Sequence, residues 1–108
     1  MSSPLLLQHH VLVQQTIELA LARKITQHKR ADKKAGRAWD EGAYITVSNV
    51  LAMAARQNCQ CVECFCTLQL EWAPHDHSQV SIDRIDDSKA HTSDNCRLVC
   101  LRCNKAKL

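Results

Sequence analysis

Two cysteine pairs frame this chain, Cys61-Val62-Glu63-Cys64 near its middle and Cys100-Leu101-Arg102-Cys103 near its end. A two-residue spacer lets both thiolates of a pair turn onto one ion, so two such pairs are an ordinary way to present four sulfurs tetrahedrally to Zn²⁺. The 35 residues between Cys64 and Cys100 then form a loop anchored at both ends. Cys59 and Cys66 lie two residues outside the first pair, so Cys59-Gln60-Cys61 offers a second register, although CxxC geometry favours Cys61, Cys64, Cys100 and Cys103. Cys96 suits a small buried apolar position.

A chain of 108 residues with one Phe, one Tyr and two Trp can bury only a modest core, and a structural metal adds stability where a core is thin. Seven cysteines is an odd number, and the start shows no secretory pattern beyond the short cluster Leu5 to Leu7. The expected setting is therefore reducing and intracellular, cytoplasmic or nuclear, with the thiols acting as ligands. No run of about twenty apolar residues is present, which excludes a helical membrane span.

The net charge of +3 is mild, but its distribution is uneven. Arg23, Lys24, Lys29, Arg30, Lys33, Lys34 and Arg37 place half of the 14 basic residues within fifteen positions, opposed only by Asp32. Such a run is equally a solvated helix face or a surface that neutralises phosphates with salt-sensitive affinity.

Val13, Ile17, Leu21 and Ile25 recur every four positions, and no Pro or Gly interrupts residues 5–35, which predicts one long helix. Its first half is apolar enough to pack, and its basic second half is free to project or to lie along DNA. Gly36 and Gly42 bracket a break. Val47, Val50, Leu51 and Ala54 then define a second helix to about Gln57, capped by Thr46 or Ser48. Alternation over Thr67–Trp72 and Val80–Asp83 predicts short strands, with a loop from Pro74 to Gln79 between them. Residues 86–94 read as another loop, Cys96–Val99 as a returning strand, and Leu101–Leu108 as a final helix. The expectation is an α+β chain: a helical arm over residues 1–57, then a zinc-stapled ββα unit over residues 58–108.

The segment from about Cys61 to Lys107 carries Ser81-Ile82-Asp83-Arg84-Ile85-Asp86, His91-Thr92-Ser93-Asp94-Asn95 and Leu98-Val99-Cys100-Leu101-Arg102-Cys103-Asn104-Lys105-Ala106-Lys107. In order and spacing it resembles the HNH nucleases of the ββα-metal (His-Me finger) superfamily, and within it the small phage- and large-virus-type members. The resemblance implies a metal-dependent endonuclease that hydrolyses DNA phosphodiesters. It assigns Asp83 and Asn104 to a catalytic Mg²⁺ or Mn²⁺, an ion suited to oxygen ligands that stabilises charge on the phosphate and the departing oxygen. It assigns Asn95 to tying down the loop beside the site.

The chain departs from that family at Arg84, where most members carry the His that accepts a proton from the attacking water. A guanidinium stays protonated and cannot take that role, though it can bind a phosphate or stabilise the transition state. Another group then supplies the base, a metal-bound hydroxide or solvent serves instead, or the fold keeps DNA binding without cleavage. His91, His75 and His77 are candidate bases, with Asp86 a further one; His75-Asp76-His77 is equally a polar loop lining. Arg97, Arg102, Lys105 and Lys107, with Arg84, would form a basic rim for DNA. The alternative is a noncatalytic zinc-knuckle protein that binds nucleic acid.

Overall fold

The computed structural model describes residues 4–73 and 75–107, so Pro74 in the expected loop and Leu108 at the end of the expected last helix lie outside the described residues. Three helices and a two-stranded antiparallel sheet follow in the order α1 (Pro4–Lys34), α2 (Val47–Arg56), β1 (Val80–Arg84), β2 (Cys96–Cys100) and α3 (Leu101–Ala106). The result is a mixed α+β chain.

The long helix forms where its period-four stripe predicts, but its two halves behave in the opposite way to the sequence expectation. From Ile17 onward the helix packs, its basic half included: Leu21 and Asp32 are fully buried, with Ile17 and Ile25 set against the core. The apolar first half projects instead, leaving Leu5 76% exposed and Leu7, Val11, Leu12 and Leu19 also largely in solvent. Hydrophobicity indicates that a face can be covered, but it does not supply the covering element. Deleting residues 1–12 is accordingly expected to move the thermal midpoint by no more than about 2 °C, measured by calorimetry. A larger drop would mean that the arm carries part of the fold.

The C-terminus of α1 explains why its basic half turns inward. Gly36, at φ +76, takes the left-handed position beyond the last turn. The Gly36 N–H donates to Lys33 O and the Arg37 N–H to Asp32 O, the paired pattern of a glycine-closed helix end. Arg37 Nε also donates to Asp32 Oδ1 at 2.7 Å, so the residue beyond the glycine covers the buried carboxylate. At α2 the cap is Thr46: its Oγ1 accepts from the Asn49 N–H, and the Asn49 side chain accepts from the Thr46 N–H. These reciprocal bonds satisfy two amides that the helix start leaves open.

β1 and β2 pair in the register Val80↔Cys100, Ile82↔Leu98 and Asp83↔Arg97. Because successive side chains alternate between faces, Val80, Ile82, Leu98 and Cys100 enter the core beside Val50 and Ile45. That core joins residues from both sides of position 57. The opposite face carries Ser81, Asp83, Arg97 and Val99 towards α3.

The expected strand over Thr67–Trp72 does not form as a continuous element. Gln60↔Thr67 and Gln69↔Gln79 are single bridges. Beyond Gln69 the chain leaves the sheet, and the buried Gln79 side chain takes over the pairing: its Oε1 accepts the Ala73 N–H at 2.6 Å and its Nε2 donates to Gln69 O. The remaining elements agree with expectation to within a residue or two. No helix among the described residues is long and apolar enough to cross a membrane.

Candidate metal centre and cleft

Tight backbone turns bring the two cysteine pairs together. The Cys61 N–H donates to Cys66 O and the Phe65 N–H to Cys61 O, folding residues 61–66 back on themselves with Phe65 at φ +65. In the second pair Cys100 ends β2 and caps α3, its sulfur accepting the Cys103 N–H at 3.4 Å. The Val62 N–H donates to Leu98 O, and the Gln57 side chain bonds both the N–H and the carbonyl of Leu98, so the first knuckle is stitched to β2.

The sulfurs of Cys61, Cys64, Cys100 and Cys103 all lie within 4.8 Å of one another, and among the described residues this is the one such cluster able to hold an ion. Zn–S bonds of about 2.3 Å give tetrahedral edges of about 3.8 Å, and Cys64 Sγ stands 3.8 Å from Cys100 Sγ. The donor set therefore fits a structural metal such as zinc. Cys59 is outside the cluster, its Sγ directed at Leu68 O, so the second register is not the one adopted.

The Cys66 backbone N–H pulls the Cys64 thiol down to about 6, whereas the neighbouring Cys100 thiol pushes Cys103 up to about 12. Cys66 borders the cluster and is pushed up to about 12 by burial and by Cys64. Cys96 is buried and likewise pushed up to about 12, consistent with an inert core position.

The outer face of the sheet and α3 enclose a cleft of about 320 Å³, with Asp83, Arg97, Asn104 and Lys107 in its walls and Glu63 at its rim. Asp83 is 5% exposed. Its Oδ2 accepts from Arg97 Nε at 2.9 Å and its Oδ1 from Lys107 Nζ at 2.8 Å. The Lys107 ammonium is met by three oxygens, Asp83 Oδ1, Asp87 Oδ1 and Arg84 O, at 2.7 to 2.8 Å. This oxygen-rich corner thus already holds one positive charge. Asn104 donates from Nδ2 to Ser81 Oγ at 2.8 Å, leaving its carbonyl oxygen as the atom available to a cation. A carboxylate and an amide oxygen in one cleft are the donors a hard divalent ion takes.

The other sequence candidates divide between scaffold and surface. Asn95 is buried; its Oδ1 accepts from the Asp86 N–H, and its Nδ2 donates to Asp86 O and Ala90 O, closing the 86–95 loop. Arg84 does not line the cleft. It leaves β1 on the face opposite Asp83, and its Nη1 donates to the carbonyls of Asp87 and Lys89. His91 is 6% exposed and also absent from the cleft walls. His75, Asp76 and His77 are exposed.

His91 instead belongs to a buried polar cluster that sequence reasoning missed. Asp32 Oδ2 accepts from Tyr44 Oη at 2.6 Å, from the His91 N–H at 3.0 Å and from His91 Nδ1 at 2.8 Å. A carboxylate only accepts, so Nδ1 carries the imidazole proton. His28 stacks on His91 with ring centroids 4.1 Å apart. Burial alone would push the Asp32 carboxyl up, but bonds from Tyr44, His91 and Arg37 hold it well below the usual carboxylate range. Burial lowers both histidines, taking His28 to about 4.

Histidines that bind protons less readily when folded favour the unfolded chain once it can be protonated. Stability is therefore expected to fall as pH drops below about 6.5, the unfolded value, with the His28 contribution exhausted near 4. Asp32 acts in the same direction only in stronger acid, because the stability gained from its lowered pKa begins to be lost once the unfolded carboxyl, at 3.8, takes up a proton. Thermal melts at pH 7.5 and 5 should differ by several degrees. Since thiolate protonation also contributes, the diagnostic comparison is His28→Phe, which should show a shallower acid limb; an unchanged limb would contradict the assignment.

Among the basic candidates, Arg23, Lys29, Arg30, Lys33, Lys34, Arg102 and Lys105 are exposed, and Lys24 is half-buried. Arg37, Arg97 and Lys107 are engaged with carboxylates. Arg97 also reaches Glu63 at 2.6 Å, tying the first knuckle to β2. Compared with known protein families, with curated proteins and with solved structures, the chain matches none of them.

Proposed function

We propose that the chain is a metal-dependent HNH-type endonuclease that hydrolyses DNA phosphodiester bonds, with zinc in the four-cysteine cluster as scaffold. The observation that supports this reading is that Asp83 and Asn104 line one cleft together with Arg97 and Lys107. Asp83 and Asn104 would hold Mg²⁺ or Mn²⁺. Bound there, the ion would supply charge stabilisation at the scissile phosphate and the departing 3′ oxygen.

The remaining residues position and attract. Asn95 holds the 86–95 loop in one conformation, and Arg84 staples the same loop through Asp87 and Lys89. Lys107, held by Asp83, Asp87 and Arg84 O, keeps an ammonium beside the position where a phosphate would lie. Arg102 and Lys105 add positive field at the rim. The exposed basic residues of α1 extend that field and give salt-dependent affinity.

One observation favours a second reading, a noncatalytic zinc-knuckle protein that binds nucleic acid: no histidine stands among the residues lining the cleft, so an evident general base is lacking there. Nicking of supercoiled plasmid in Mg²⁺ or Mn²⁺ separates the two readings. Binding without nicking would establish the second.

A further inference from the structure

A second groove runs between α1 and the segment that carries Trp72. Its volume is about 510 Å³, in the range of small-ligand sites. Leu19 and Ala20 line its apolar part, Arg23 and Lys24 its charged part, and the Trp72 indole also borders it. Trp72 is 61% exposed, although an indole buries more apolar area than most side chains when given a partner. Lys24 Nζ lies 5.3 Å from the ring centroid. No carboxylate among the described residues pairs with Arg23 or Lys24, and none lines the groove. Burial lowers the Lys24 ammonium below its ordinary value, as expected of a half-covered cation without a counter-charge.

We propose that this groove binds an unpaired nucleotide of a DNA strand, with the base stacked on Trp72 and the adjoining phosphates taken by Arg23 and Lys24. The inference rests on the DNA-binding reading above and adds strand state and location to it. Two cations without a carboxylate partner, one of them over the indole ring, complement a ligand that alternates anionic and planar groups, which is the chemistry of a nucleic-acid strand. Within a duplex, each base face is covered by its stacked neighbour. Only an unpaired base offers a free face to Trp72, so the site selects single-stranded or frayed DNA.

Fluorescence tests this directly, because the chain has two tryptophans. In Trp39→Phe protein, which keeps an aromatic ring against Tyr44, Trp72 is the sole reporter. With zinc in place and no added Mg²⁺, a short oligothymidylate is expected to quench it. Trp72→Ala should weaken oligothymidylate binding roughly 10-fold, with Trp72→Phe restoring part of the loss and blunt duplex affinity little changed. Arg23→Gln and Lys24→Gln should each lower the salt slope by about one ion.

Absence of quenching in folded protein would overturn the proposal. Equal loss of single-strand and duplex binding in Trp72→Ala would do the same, as would stronger quenching by anionic vesicles than by oligothymidylate. Asp83→Ala should abolish nicking and leave the quenching intact. Failure of the groove therefore reads differently from failure of the nuclease assignment.

Discussion

Replacing Cys100 with Ser is expected to release the structural metal and abolish cooperative folding, with Cys61→Ser producing the same outcome. Cys100 has three tasks: it pairs with Val80 at the end of β2, it caps α3 through the Cys103 N–H, and it contributes one of four clustered sulfurs. The core around it contains few aromatics. Phe65 and Trp72 face solvent, leaving Tyr44 and the half-buried Trp39. Structural zinc binding is worth roughly 10–16 kcal/mol in comparable small domains. That is as large as the whole stability of an ordinary domain, about 5–15 kcal/mol, so the fold does not survive its loss. Metal analysis should find one zinc per chain in the wild type and none in Cys100→Ser. A metal-free chain with an unchanged thermal transition would contradict the scaffold assignment.

Local features carried most of the sequence reading. The CxxC spacing identified the four sulfurs that gather, because a two-residue spacer fixes geometry within a single turn. The helix starting at Thr46 and the two strands of the pair followed from caps and alternation that act over a few residues. The misses involve partners distant in the chain. Asp32 reads as a lone acid in a basic run, yet its partners Tyr44 and His91 lie 12 and 59 residues away. Gln57 reads as the end of a helix, yet it bonds Leu98, 41 residues on. With those contacts unseen, the apolar end of α1 looked like the end that packs.

Asp83 and Asn104, paired by the resemblance, line the same cleft, whereas Arg84 and His91 are absent from its walls. Strand alternation explains Arg84: adjacent residues leave a strand on opposite faces, so Asp83 facing α3 sends Arg84 towards the loop. His91 is withdrawn by Asp32, a carboxylate that no local pattern links to it. His91 therefore does not bring an imidazole to the cleft.

Asp83→Ala is expected to reduce plasmid nicking by about 10³-fold or more, because losing an ion that stabilises phosphoryl charge removes several kcal/mol from the transition state and each 1.36 kcal/mol is tenfold. Asn104→Ala should cost less, roughly 10- to 100-fold, as a neutral oxygen contributes less to holding a divalent cation. Neither change touches the sulfur cluster, and Arg97 keeps Glu63 as a partner when Asp83 is removed, so both variants should retain zinc and a cooperative melt. The decisive measurement is Mg²⁺- or Mn²⁺-dependent nicking of supercoiled DNA by wild type and these two variants side by side. The account predicts metal-dependent nicking in the wild type that is lost in Asp83→Ala and strongly reduced in Asn104→Ala; nicking that persists unchanged in both, or is absent from zinc-loaded wild type, would contradict it.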